Sequence, residues 1–107
     1  MTNEELAQAI QAGDASLLTP LWEQVEKLIR LLANKCYIKW KSRCLSMGLT
    51  QDDLYQQGYF AVLDAIKYFN IEKGYKFTTY LKANCQRYFY EALEARSINW
   101  HKKTYPH

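Results

Sequence analysis

The stretch "GLTQDDLYQQGYFAVLDAIKYFNIEKGYKFTTYLKANCQRYFYEAL", Gly48 to Leu93, decides how the chain is read. Thr50 followed three residues later by Asp53 is a capping pattern that opens a helix. Leu54, Gly58, Ala61, Ala65 and Phe69 then fall on one face at helical spacing, broadened by Tyr55, Val62 and Ile66. Asn70 to Gly74 reads as a turn. A further helix is predicted to start around Phe77 to Thr79, with Phe77, Leu81, Cys85, Tyr88, Ala92 and Leu93 as its stripe.

Working outward, Thr2 and Glu5 repeat the capping pattern and open a short helix that ends near Gly13. Thr19 before Pro20 suits an N-cap and a first helical turn. From there Leu21, Val25, Leu28, Leu32 and Cys36 recur at helical spacing, widened by Trp22, Ile29 and Ala33. This long helix is predicted to run to about Cys44, with Gly48 closing it. Beyond Arg96 the periodicity is lost, and residues 97–107 are expected to form a loose tail. There is no convincing strand and no internal repeat. The expected architecture is therefore all-α, a compact four-helix domain over residues 1–96. A chain of 107 residues suffices for one hydrophobic core and not for two.

Apolar residues make up 49% and charged residues 23%, a globular balance that excludes wholesale disorder. The aromatic share of 15% is high, and more rings are present than a small core easily absorbs. Charge is unevenly placed. Residues 1–30 carry five acids against Lys27 and Arg30, whereas residues 31–49 carry Lys35, Lys39, Lys41 and Arg43 with no acid. Residues 50–70 are acidic again, and residues 71–107 hold seven bases against three acids. Two basic segments separated by an acidic one fit a polyanion on one face and a protein on another. Ordinary solvated charge on helices is the alternative.

Two faces are not explained by the predicted core. On the helix after Thr50, Asp53, Gln56, Gln57, Phe60 and Asp64 share one side, with Tyr59 and Leu63 beside Phe60. Either Phe60 wraps into the core, or it anchors a protein-docking face inside a polar rim. On the last helix, Thr79, Lys82, Ala83, Gln86, Arg87 and Tyr90 lie away from the stripe, and the preceding turn adds Lys73, Tyr75 and Lys76. Side chains of this kind reach phosphates and base edges. Rings, lysines and free N–H groups at a helix start make a single-strand platform. Solvated surface and a core-closing aromatic cluster are the competing readings.

Catalysis finds little support: there is no nucleophile elbow, phosphate-cradling glycine loop or HExxH. Adjacent Asp52 and Asp53 point to different sides of a helix and favour its positive N-terminus instead. Both histidines, His101 and His107, lie in the tail, and no CxxC is present, so no metal or other cofactor is expected. The three cysteines, the lack of a signal-peptide pattern and the lack of a membrane-spanning apolar run predict a reducing, cytoplasmic setting with free thiols and no membrane.

Gly48-Leu49, Asp53-Leu54-Tyr55-Gln56-Gln57-Gly58, Ala65 to Asn70 and Gly74 to Tyr80 together resemble region two of the sigma-70 family, the specificity subunits of bacterial RNA polymerase. The opening "AIQAGDASLLTPLWEQVEKLIRLLANK" is similar to the family's amino-terminal helix pair, so the likeness covers roughly residues 5–96. It implies transcription initiation without enzymatic chemistry. By the resemblance, Asp53, Gln56, Gln57, Tyr59 and Leu63 match positions that dock on the coiled coil of the polymerase's largest subunit, and Phe60 lies within that face. Phe69, Tyr75, Phe77, Thr79 and Tyr80 match the region that captures a flipped non-template base of the minus-ten promoter element. Arg87 and Tyr90 match positions that read its upstream edge as duplex. Lys73, Lys76, Lys82 and Gln86 join the expected DNA-binding set, and an anti-sigma regulator is a further partner that the resemblance admits.

Three departures limit the likeness. Ala83 and Asn84 stand where primary sigma factors carry a tryptophan pair, so the ring that wedges against the duplex is missing. "CYIKWKSRCLSMG" is longer than the usual link and brings extra bases, Lys39, Lys41 and Arg43. The chain ends near the close of region two, which leaves open a fragment or a protein that works without a minus-thirty-five-binding domain. A sigma-mimicking regulator that occupies the polymerase without reading DNA, and a generic helical adapter, are the alternatives.

Overall fold

Each helix in the computed structural model begins or ends for a legible reason. The structure describes residues 1–102, with side-chain surroundings to Glu94. Five α-helices occur among the described residues: α1 (Asn3–Gln11), α2 (Leu18–Lys39), α3 (Lys41–Met47), α4 (Gln51–Tyr68) and α5 (Phe77–Lys102). There is no strand among them. Both predicted capping boxes form. The Glu5 N–H donates to Thr2 Oγ1 at 3.0 Å while Thr2 N–H donates to Glu5 Oε1 at 2.8 Å. Thr50 and Asp53 exchange the same bonds at 2.8 and 3.1 Å. Such caps satisfy N–H groups that no helix turn reaches, at roughly 1 kcal/mol each.

The predicted stripes meet in one core. Leu21, Val25 and Ile29 of α2 pack with Leu54, Ala61 and Val62 of α4 and with Phe77 and Leu81 of α5, all sealed from solvent. Side chains of this size contribute about 1.5–3 kcal/mol each when fully buried. Gly58 sets how closely α2 and α4 approach, because a Cβ there would sit 2.4 Å from Ile29 Cγ2. No helix among the described residues is long and apolar enough to cross a membrane.

Four expectations are corrected. The long second helix breaks at Trp40, whose φ of −113° and ψ of 30° are not helical. Hydrogen bonding continues through the break, with Trp40 N–H on Cys36 O at 3.0 Å and Cys44 N–H on Trp40 O at 2.8 Å. The change of direction turns α3 onto α5, buries Cys44 and brings Arg43 Nη2 to 3.4 Å from Leu93 O. Second, α2 starts at Leu18 with no side-chain cap, because the 3₁₀ turn Ala15–Leu17 feeds straight into it. Thr19 and Pro20 then lie inside the first turn. Third, Phe89 joins the core face of α5, while Tyr88 and Ala92 are only half-buried. Fourth, α5 does not stop near Arg96 but continues to Lys102, so part of the expected loose tail is helical. Residues 103–107 lie outside the described residues.

Candidate nucleic-acid interface

The turn between α4 and α5 is built by its own side chains. Asn70 Oδ1 accepts the Glu72 N–H at 3.0 Å, and Gly74 closes the 3₁₀ turn Ile71–Lys73 at φ 80°, a left-handed position that glycine takes without strain. The turn delivers a four-ring cluster centred on Phe69. Phe69 stands edge-on to Tyr75 at 5.8 Å and to Phe77 at 5.3 Å, and tilts against Tyr80 at 6.1 Å. Tyr75 and Tyr80 complete the ring of contacts at 5.6 Å with an interplanar angle of 34°.

Burial divides these rings. Phe69 and Phe77 are core residues, with Phe77 wholly enclosed. Both stand in the expected DNA-binding set, and their side chains are enclosed beneath Tyr75 and Tyr80, which makes them the floor of the cluster rather than its accessible face. Tyr75 and Tyr80 are half-buried above it, and Lys73, Lys76, Thr79 and Lys82 are exposed in the same segment.

Helix α1 fastens both ends of this turn. Glu4 Oε2 accepts the Phe77 N–H at 2.6 Å, so a carboxylate sits at the positive end of α5. Gln11 Nε2 donates to Ile66 O at 2.8 Å and to Phe69 O at 2.6 Å, satisfying carbonyls at the end of α4. The expectation of free N–H groups for phosphate is thus corrected at Phe77, whose donor is already taken. Sequence reasoning missed both residues, since their partners are distant in the chain.

Along α5, Lys82, Ala83, Gln86, Arg87 and Tyr90 are exposed, as expected from their spacing. Arg87 is nonetheless engaged. Its Nη2 donates to Asn84 Oδ1 at 3.0 Å and lies 3.5 Å from Asp64 Oδ2, and its Nη1 lies 3.7 Å from Glu91. Its guanidinium sits 5.0 Å from the Tyr88 ring centre, and the Tyr88 hydroxyl donates to Asp64. That hydrogen bond, with burial, lifts the Tyr88 phenol above its ordinary pKa. Asn84 is 8% exposed and donates to Tyr80 O at 3.0 Å, so it links the ring cluster to this network. The signal for the network was the spacing of Asn84 and Arg87, but Asp64 on α4 gave no hint of its reach.

The polar side of α4 carries the expected protein-docking residues. Phe60 is 49% exposed and does not wrap into the core. Tyr59 is half-buried and edge-on to Trp22 at 5.0 Å, with Phe60 6.3 Å away. Gln56 is exposed and Gln57 half-buried. Asp53 already serves the α4 capping box, and Leu63 lines a groove of about 700 Å³ between α4, α1 and the start of α2.

Chemistry has little to work with among the described residues. No group of acids, cysteines and histidines could hold a metal ion there. Cys36, Cys44 and Cys85 are free, and burial pushes the Cys36 and Cys85 thiols up to about 11 and about 12, far from thiolate reactivity.

Residues 22–97 match the family model for sigma-70 region 2, leaving α1 outside the matched span. No match was found among curated proteins or among solved structures. The matched span takes in α3, α4 and the ring-bearing turn, with nearly all of α2 and most of α5, and by it the chain belongs to the sigma-70 region 2 family, whose role is non-enzymatic and lies in transcription initiation.

Proposed function

We propose that the chain docks on the coiled coil of the largest polymerase subunit through α4 and captures a flipped non-template base of the minus-ten promoter element at Tyr75 and Tyr80. One observation carries this reading. Two half-buried tyrosines stand 5.6 Å apart above a buried Phe69–Phe77 floor, and Lys73, Lys76 and Lys82 are exposed in the same segment. Extruding a base costs a few kcal/mol, and stacking it on an aromatic ring returns about 1–3 kcal/mol. The lysines add phosphate contacts that favour any strand, while the rings favour one that is unpaired. Phe60, exposed between Gln56 and the half-buried Leu63, supplies the anchor for the polymerase side. The setting is cytoplasmic, and an anti-sigma regulator is a further partner of the same reading.

A second reading rests on Arg87. Its ties to Asp64 and Glu91 spend part of the charge expected to meet duplex DNA, which suits a regulator that occupies polymerase without reading promoter sequence. The test for both is co-purification with core polymerase, followed by a salt-dependent shift of fork-junction DNA carrying the minus-ten element. Polymerase capture with a DNA shift is expected. Capture without any shift at low salt leaves the regulator, and failure of capture removes both.

A further inference from the structure

The basic segment around the α2–α3 break has no part in the ring cluster, yet the fold sets it against α5. Trp40, 36% exposed, stands edge-on to Tyr90, 41% exposed, with ring centres 6.3 Å apart and planes at 88°. Lys39 Nζ lies 5.6 Å from the Trp40 ring centre. Lys35, Lys39, Trp40, Gln86 and Tyr90 rim a hollow of about 170 Å³ whose base is apolar, with Cys85 and Phe89 below. Residues 31–49 contain no acid, and Lys41 and Arg43 continue the charge past the break. No proline or glycine forces the chain to bend at Trp40. An indole left exposed among lysines at such a bend is placed for contact rather than for the core.

We propose that Lys35, Lys39, Trp40 and Tyr90 form a second DNA contact that takes the sugar–phosphate backbone of a duplex. It rests on the promoter reading above, and carries the duplex contact that the resemblance implies at Arg87 and Tyr90 across to Lys35, Lys39 and Trp40 at the α2–α3 break. That surface is one that α4 and the Tyr75–Tyr80 rings do not supply. The Trp40 and Tyr90 rings stand edge to face, so the face that one ring turns to the other is already covered and less ring surface is left for a base to stack on. The remaining chemistry is two ammonium groups, an indole N–H that can only donate, the Gln86 amide and a phenol, a set that suits phosphate oxygens. Tyr90 follows Tyr80 by ten residues, about 15 Å along α5 at a helical rise of ~1.5 Å. At about 3.4 Å per nucleotide the duplex contact falls roughly four to five steps from the captured base.

The full chain is titrated with a labelled duplex and, separately, with a single-stranded minus-ten oligonucleotide, each with and without core polymerase. Lys35→Gln with Lys39→Gln, both exposed and harmless to the core, should weaken duplex binding about tenfold. The slope of log K against log salt should fall by about 2, and single-strand binding should be retained. Trp40→Phe should weaken duplex binding a few-fold. An unchanged salt slope, or equal loss on both probes, overturns the contact. So does loss of polymerase capture with duplex binding intact, which would reassign the patch to protein. Wild-type binding of single strand but not duplex sinks this inference and spares base capture. Lysine-dependent duplex binding without single-strand binding does the reverse.

Discussion

The Glu4 carboxylate reaches across from α1 and accepts the backbone N–H of Phe77 at 2.6 Å, capping a helix that begins 73 residues later in the chain. Together with Gln11 on Phe69 O, it makes α1 the clamp of the turn that carries Tyr75. Glu4→Ala should cost about 1 kcal/mol of stability, in the range of lost N-caps. Glu4→Gln, which keeps an acceptor oxygen, should cost less. Urea midpoints check both, and equal midpoints for wild type and Glu4→Ala would show that the cap contributes nothing.

Gly58 against Ile29 makes a prediction with an internal control. Gly58→Ala places a methyl where Ile29 Cγ2 would be 2.4 Å away, so α2 and α4 must part. Overpacking of this kind costs about 1–3 kcal/mol. Ile29→Ala alone should cost about 2–5 kcal/mol through its cavity. The double variant should be less destabilised than the two losses added, because the new methyl enters the space left by Ile29. Strict additivity in urea denaturation would contradict the close approach.

Local pattern carried the sequence reading as far as local causes reach. The capping boxes at Thr2 and Thr50, the core faces of α2 and α4, and the exposed side of α5 all follow from spacing within a few residues. The break at Trp40 does not, because nothing in "CYIKWKSRC" forbids helix. It is imposed by burial of Cys44 and by the meeting of Trp40 with Tyr90. The core place of Phe89 was lost for a similar reason: Tyr88 is drawn to Asp64 at the helix edge, leaving Phe89 to face inward. Ring composition marked the α4–α5 turn, but only packing separates the floor, Phe69 and Phe77, from the accessible Tyr75 and Tyr80.

Alkaline pH should weaken the fold through its thiols. Burial holds the Cys85 thiol protonated up to about 12, against an ordinary value of 9.0. In the unfolded chain that thiol ionises first, so between about 9 and about 12 the native state binds more protons. Stability is therefore full below pH 9 and falls as pH rises through this window. The slope from one such thiol approaches 1.4 kcal/mol per pH unit, about the value of one pKa unit. Cys85→Ala should flatten the decline of the urea midpoint between pH 8 and pH 10.5, and an unaltered decline would place its cause elsewhere.

Tyr75→Ala and Tyr80→Ala should each weaken binding of a single-stranded minus-ten oligonucleotide by about 1–3 kcal/mol, roughly 5- to 150-fold. Both rings also pack on Phe69, so the alanine variants remove packing as well as stacking faces. Tyr75→Phe and Tyr80→Phe keep the stacking faces and the packing, and should bind within a few-fold of wild type. If the phenylalanine variants lose as much as the alanine variants, the hydroxyls rather than the rings hold the strand.

Phe60→Ala separates the polymerase face from the DNA face. The side chain is 49% exposed and contributes little to the core, so the thermal midpoint should hardly move. An aromatic anchor at the centre of an interface is worth about 2 kcal/mol or more on truncation. Capture of core polymerase should accordingly fall at least tenfold, while single-strand binding measured without polymerase stays as in wild type. Gln56→Lys, a neighbour on the same helix side, should deepen the loss without touching the fold, since its side chain is exposed. Undiminished capture by the double variant would exclude this side of α4 as the docking face, because no interface centred on Phe60 tolerates both the loss of its ring and a new charge beside it.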